Sequence, residues 1–392
     1  MTSLSNSAES RDVCLVVGTR PEVVKMAPVY VALRRSQRLR PVLLSTGQHR
    51  QMLDQALAAF GLTPDDDLDL MQPGQTLTEL TSRAISRIGA YLSERRPAAV
   101  LVQGDTTTVL STGLAAFYHG IPVGHVEAGL RTGNLQSPWP EEMNRRLVAP
   151  LCRWHFAPTE WSRNNLLAEG IPEEHCHVTG NPVVDALRWM YDRVNERNTD
   201  HHDIAQRLGI PADFADAYLN GGRTPFVLVT GHRRESFGGG LERVCEALQR
   251  LVARRPDVGV LFPVHLNPAV RGPVRERLAD CPRIALTEPA DYHDFVWLMG
   301  RCRFLISDSG GVQEEAPCLG KPVLVTRNTT ERPEGVEAGT CRLVGTDPDR
   351  ILQEAEILLS DADEYCRRSQ LANPYGDGRA AERIASILEA TV

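Results

Sequence analysis

The chain has 392 residues, more than one core of ordinary size accommodates, so two domains are expected. Its apolar and charged fractions, 42% and 24%, are those of a globular protein, and a net charge of −7 argues against nucleic acid or an anionic membrane as partner. Nine cysteines are scattered with no CxxC pair and no metal-ligand spacing, which predicts reduced, mostly buried thiols in a cytoplasmic protein.

Residues 1–11 are polar and lack an apolar signal core, so a disordered tail is expected there rather than a targeting peptide. No apolar run approaches the ~20 residues that span a membrane. Val13 to Val17 reads as a strand, followed by Gly18-Thr19-Arg20-Pro21-Glu22, where Pro21 opens a helix to about Arg35. A glycine turn, Arg20 and a helix start make an anion site, with Lys25 one turn further on. The GxGxxG dinucleotide fingerprint is missing.

Val42 to Thr46 is a second strand, then Gly47-Gln48-His49-Arg50-Gln51 leads into an amphipathic helix to about Phe60. A proline- and aspartate-rich loop covers 63–75, and a long helix runs from about Thr76 to Arg95. Ala99 to Val102 is a strand ending in Gly104-Asp105-Thr106-Thr107-Thr108, so Asp105 sits at a strand tip, where helix capping competes with a catalytic role. Pro122 to Val126 ends likewise at Glu127. Pro138-Trp139-Pro140-Glu141-Glu142 opens the next helix, where Glu141 also suits the helix dipole. Trp154 to Ala157 is a fifth strand, with helices near 160–169 and 182–194. Residues 195–224 are polar and show little periodicity, which marks a junction and a loose surface insert.

The pattern restarts at the strand Phe226 to Val229, which ends in Thr230-Gly231-His232-Arg233-Arg234-Glu235. Further strands are expected at 258–262, 283–286, 304–306 and 323–325, with helices near 240–254, 292–299, 347–360 and 377–390. Ser307-Asp308-Ser309-Gly310-Gly311 forms a strand-to-helix turn whose N–H groups suit a phosphate, and Glu315 follows one turn later, placed to hold a ribose diol. Strands alternate with helices throughout. The expected class is therefore α/β, with two Rossmann-like, doubly wound parallel sheets facing a cleft and ligands at the strands' carboxyl ends.

The first half supplies acids and the second a glycine-rich anion turn, a division that suits a sugar nucleotide. The motifs quoted above, taken in order with Gly124-His125-Val126-Glu127-Ala128-Gly129-Leu130-Arg131, Thr330-Glu331-Arg332-Pro333-Glu334 and Asn373-Pro374-Tyr375-Gly376-Asp377-Gly378, give the chain a further identity. It resembles the non-hydrolysing UDP-N-acetylglucosamine 2-epimerases of bacteria over residues 13–390.

The resemblance implies a GT-B type fold with domains at 12–194 and 195–372, and residues 373–392 crossing back to the first domain. It implies interconversion of UDP-N-acetylglucosamine and UDP-N-acetylmannosamine, a homodimer, no redox cofactor and no metal. Asp105, Glu127, Glu141 and His232 match the family's catalytic residues. Arg20, Lys25, Arg145, Phe295, Ser309, Gly310, Gly311, Glu315 and Arg332 match substrate-binding positions. Arg145 is expected to orient Glu141. Gln48, Gln51 and His265 match an effector site for a second UDP-N-acetylglucosamine. Ala290 stands where some relatives have glutamine near the base. The rival readings are a hydrolysing 2-epimerase, an epimerase of a modified UDP-amino sugar, a GT-B glycosyltransferase and a non-catalytic sugar-nucleotide sensor. Several polysaccharide pathways use such a product, and the residues do not distinguish them.

Overall fold

The computed structural model describes residues 10–47, 50–196, 200–220, 224–231 and 239–392, with the backbone alone at residues 50 and 51. His232, Gln48 and the Gln51 side chain lie outside the described residues. The chain divides into two compact units, Met1–Ala186 with Tyr375–Val392, and Leu187–Pro374.

In the first unit the described strands are β1 (Arg11–Val17), β2 (Leu39–Ser45), β3 (Asp66–Asp67), β4 (Ala99–Gln103), β5 (Val123–Val126), β6 (Trp154–Ala157) and β7 (Cys176–Val178). They form a parallel sheet in the order β3-β2-β1-β4-β5-β6-β7. Val13–Val17 and the whole of β4 are buried, as in a sheet covered on both faces. The helix Leu77–Arg95 supplies one cover. Its buried Leu80, Ala84, Ile88 and Leu92 recur every four residues and pack on Cys14, Val16, Val100 and Val102. Each fully buried leucine contributes roughly 2 kcal/mol. Thr76 caps this helix, accepting from Glu79 N–H at 3.2 Å while the Glu79 carboxylate accepts from Thr76 N–H at 2.7 Å. The last helix, Ala380–Thr391, packs on the helix Arg20–Leu33, so the chain's end completes this unit.

In the second unit the described strands are β8 (Phe226–Thr230), β9 (Gly259–Pro263), β10 (Ile284–Thr287), β11 (Phe304–Ser307), β12 (Val323–Val325) and β13 (Cys341–Leu343). They are also parallel, in the order β10-β9-β8-β11-β12-β13. The helices Gly240–Arg254 and Pro348–Ser360 pack together over one face, burying Leu248, Leu251, Ile351 and Leu358.

Residues 200–220 differ from the loose insert expected of them. They form the helices His201–Leu208 and Ala212–Tyr218, with Ile204, Leu208, Phe214 and Tyr218 buried. Each helix has about two turns, too few for the apolar period to stand out of a polar background. The helices Pro268–Leu278 and Ala362–Ser369, and the strands β3, β7 and β13, also lie outside the expected elements. All three strands are sheet edges of two or three residues, paired on one side only. They carry no apolar run because they need none.

Strand order reverses between β1 and β4 and again between β8 and β11. A parallel sheet opens a crevice at such a point, outside the strands' carboxyl ends. The loops there are Gly18–Arg20 and Gly104–Thr106 in the first unit, and Asp308–Gly311 beside Gly231 in the second. No helix among the described residues is long and apolar enough to cross a membrane.

Candidate active site

The loops after β1 and β4 are joined by a single buried carboxylate. Glu22 is buried in the first turn of the helix Arg20–Leu33. One of its oxygens accepts from the N–H groups of Gly18 and Thr19, each at 2.7 Å, and the other from Thr106 Oγ1 at 2.6 Å. Burial pushes its pKa up, opposed by the hydrogen bonds from Thr106 and Gly18. The pattern Thr19-x-x-Glu22 before an apolar run is a capping-box signal, so its local half was readable. The bond to Thr106, eighty-four residues away, was not.

Glu22 thereby sets Arg20 and Asp105 on adjoining loops. Arg20 begins its helix half-buried, and its guanidinium has no hydrogen-bond or ion-pair partner among the described residues. Thr106, not Asp105, caps the next helix, accepting from Val109 N–H at 3.3 Å. The Asp105 carboxylate instead receives Arg145 Nε at 2.9 Å and Arg145 Nη2 at 2.6 Å. Asn144 Nδ2 donates to the Asp105 carbonyl at 2.8 Å. Arg145 also pairs with buried Glu142 at 3.0 Å, which accepts from the N–H groups of Thr132 and Gly133. Arg145 thus bridges Asp105 and Glu142. Glu141 opens the same helix, Glu141–Val148, and is half-buried.

Glu127 follows β5 in a left-handed conformation, φ +64°, with its side chain buried. Oε1 accepts from Lys25 Nζ at 2.5 Å and from Asn181 Nδ2 at 3.1 Å, and Oε2 from Gln103 Nε2. Lys25 therefore offsets the acidic group directly. His125, two residues earlier, lies 2.7 Å through Nε2 from the Gly104 carbonyl. Burial holds its pKa down at about 4, so the ring is neutral near pH 7 and Nε2 carries the donated proton. The structure thus gathers Arg20, Lys25, Asp105, Glu127 and Arg145 at one switch point, tied together by Glu22, Gln103, Asn144 and Asn181.

The second unit presents the turn after β11. Thr230 Oγ1 and Ser307 Oγ lie 2.6 Å apart, and Ser307 Oγ accepts from Ser309 N–H at 3.0 Å. The donors such a helix start presents are then those of Gly310 and Gly311. A Cβ on Gly310 would lie 2.5 Å from Arg332 Nη1 and 2.7 Å from its Cζ, so only glycine admits that guanidinium. Arg332 is itself held, by Glu314 at 2.7 Å and Glu331 at 2.6 Å. Arg327 pairs with the other oxygen of Glu331 at 2.7 Å. This buried set of charges fixes the turn's flank.

Glu315 closes the same helix and accepts from Tyr292 Oη at 2.7 Å. Phe295 lies three residues beyond Tyr292, one helical turn on, and is buried. His265 stands exposed just past β9, where its Nδ1 accepts from Asn267 N–H at 3.1 Å. Ala290 is buried.

The fold has close counterparts among known proteins. A family model described as UDP-N-acetylglucosamine 2-epimerase matches residues 31–389. A Salmonella typhimurium protein named UDP-N-acetylglucosamine 2-epimerase is 52% identical over 377 residues, covering 96% of this chain and 98% of that one. A crystal structure of UDP-GlcNAc 2-epimerase from Neisseria meningitidis, bound to UDP-GlcNAc, superposes with a TM-score of 0.90 at 44% identity, over 97% of this chain and all of that one. The enzyme from Methanocaldococcus jannaschii, in complex with UDP-GlcNAc and UDP, gives 0.81 at 30% identity, over 97% and 99% of the two chains. With a match of this extent joined to a switch-point cluster of acids and cations, the chain belongs to the UDP-N-acetylglucosamine 2-epimerase family.

Proposed function

We propose that this chain interconverts UDP-N-acetylglucosamine and UDP-N-acetylmannosamine without hydrolysis, by eliminating and re-adding UDP. The observation that carries the reading is the pairing of Asp105 and Glu127 at one switch point, each held by a cation, Arg145 or Lys25. The C2 hydrogen is not beside a carbonyl, so its removal alone is very unfavourable. A carboxylate takes it as the C1–O bond breaks; the C–H electron pair becomes the C1=C2 bond, and the C1–O pair leaves with UDP. The product held is 2-acetamidoglucal. A proton then arrives at C2 on the opposite face while a β-phosphate oxygen rejoins C1. Two faces require more than one acid–base group. Asp105, Glu127 and Glu141 fill those roles. The sequence is redox-neutral and calls for no redox cofactor.

The departing diphosphate gathers charge that fixed donors stabilise. Arg20, His232 and the Ser309–Gly311 turn take that task. Glu315, oriented by Tyr292, holds the ribose, and Phe295 lies against the uracil. Gln48, Gln51 and His265 form the effector site. The chain acts as a homodimer, with the exposed Phe117, Tyr118, Met143 and Leu147 in the shared face.

The test is incubation with UDP-N-acetylglucosamine in deuterated water, followed by NMR. UDP-N-acetylmannosamine bearing deuterium at C2 is expected. Free N-acetylmannosamine points to hydrolysis, and turnover only with an added acceptor points to transfer; either removes the reading.

A further inference from the structure

Asn181 is fully buried and stands where two stretches of chain meet. The chain leaves the first unit after Ala186 and re-enters it at Tyr375. On the way out, Asn181 N–H donates to the Tyr375 carbonyl at 2.7 Å. Gly180 and Gly376 lie back to back there. A Cβ on Gly376, at φ +132°, would meet Gly180 Cα at 3.3 Å and Asn181 N at 3.5 Å. The Asn181 side chain then divides its two ends. Oδ1 accepts from Val183 N–H at 3.1 Å and caps the helix Pro182–Glu196, while Nδ2 donates to Glu127 Oε1 at 3.1 Å. Cap and carboxylate are served by opposite ends of one amide, and the amide cannot turn over without losing both.

We infer that Asn181 is a positioning residue: its amide N–H fixes the Glu127 carboxylate for proton transfer, and the paired crossing at Tyr375 and Gly376 fixes Asn181. Lys25 alone does not settle the orientation of Glu127. An ammonium is a compact charge on a flexible stem, whereas the amides of Asn181 and Gln103 pin the two carboxylate oxygens from either side. Glu127 hangs from a left-handed backbone position, so its side chain depends on such partners for its aim. This role rests on the epimerase reading, in which Glu127 meets the substrate at C2.

Two substitutions separate positioning from capping. Asn181→Asp and Asn181→Ser both keep an oxygen able to cap the helix, and both remove the amide donor to Glu127. The expected result is a fall in kcat of roughly 10- to 100-fold in each, with the substrate KM within about threefold of wild type. C2 deuterium incorporation falls in parallel, and melting temperature in Asn181→Ser stays near wild type. If Asn181 serves only as a cap, Asn181→Ser, which adds no charge beside Glu127, keeps wild-type kcat, and that outcome overturns the role. A KM that rises while kcat holds overturns it as well. A wild-type chain that incorporates no deuterium at C2 overturns the epimerase reading itself, and this role with it.

Discussion

Glu127 shows how much a single side chain's surroundings say about its task. A surface glutamate is usually solvated and unpaired, but this one is buried among Lys25, Gln103 and Asn181. Asp105 is half-exposed yet gripped twice by a buried Arg145. Acid–base catalysis contributes about 100-fold or more per group. Asp105→Asn, Glu127→Gln and Glu141→Gln are each expected to lose at least that factor in rate while keeping a native circular dichroism spectrum. Near-normal turnover in any one strikes it from the mechanism. Gly310 makes a separate prediction. A methyl there meets the Arg332 guanidinium, which Glu314 and Glu331 prevent from retreating. Overpacking of this kind costs about 1–3 kcal/mol. Gly310→Ala is therefore expected to weaken UDP binding by roughly tenfold or more in titration calorimetry; an unchanged affinity separates the turn from the nucleotide.

Among the elements, the last helix depends on a residue far from it in the chain. Its own N-cap, Arg379, makes no side-chain cap. Asp185 supplies one, accepting from Ala380 N–H at 3.2 Å and Ala381 N–H at 2.9 Å. Burial raises the Asp185 pKa from 3.8 to about 6 despite those donors. Below pH 3.8 the carboxyl is neutral whether the chain is folded or not. Between 3.8 and about 6 the unfolded chain ionises first, so stability falls as pH rises, and above 6 the whole loss is present. The shift from 3.8 to about 6 corresponds to up to roughly 3 kcal/mol. Asp185→Asn abolishes this titration. Its melting temperature is expected to fall less than that of wild type between pH 5 and pH 7.5, and an equal fall in both proteins contradicts the assignment.

At the scale of the whole molecule, four exposed apolar residues of the first unit bear on assembly. Phe117 and Tyr118 end the helix Thr107–Tyr118, and Met143 and Leu147 lie four apart on Glu141–Val148. The two helices pack closely, with Gly113 against Val148. A contiguous exposed apolar patch is what an interaction face requires. If that face joins two copies, the wild type runs as a dimer in light scattering and Leu147→Glu shifts it toward monomer. A wild-type monomer at micromolar concentration removes the homodimer from the proposal.

The alternation of apolar strands with amphipathic helices determined the class of both sheets, because a strand buried on both faces must be written as a continuous apolar run. Val13–Val17, Ala99–Val102 and Phe304–Ile306 are such runs, and each appears as a strand. Polar residues at strand tips pointed to Arg20, Asp105, Glu127 and the Ser309 turn, because parallel sheets offer ligands only that edge. The shortest edge strands, β3, β7 and β13, and the two-turn helices left no periodic trace, since β3 and β13 pair on one side and bury little. The partners of the acids were beyond reach for another reason. Lys25 meets Glu127 across 102 residues, Arg145 meets Asp105 across 40, and Asp185 meets Ala381 across 196. A hydrogen bond constrains two groups in space and nothing along the chain between them, so only the folded structure decided which groups would face one another.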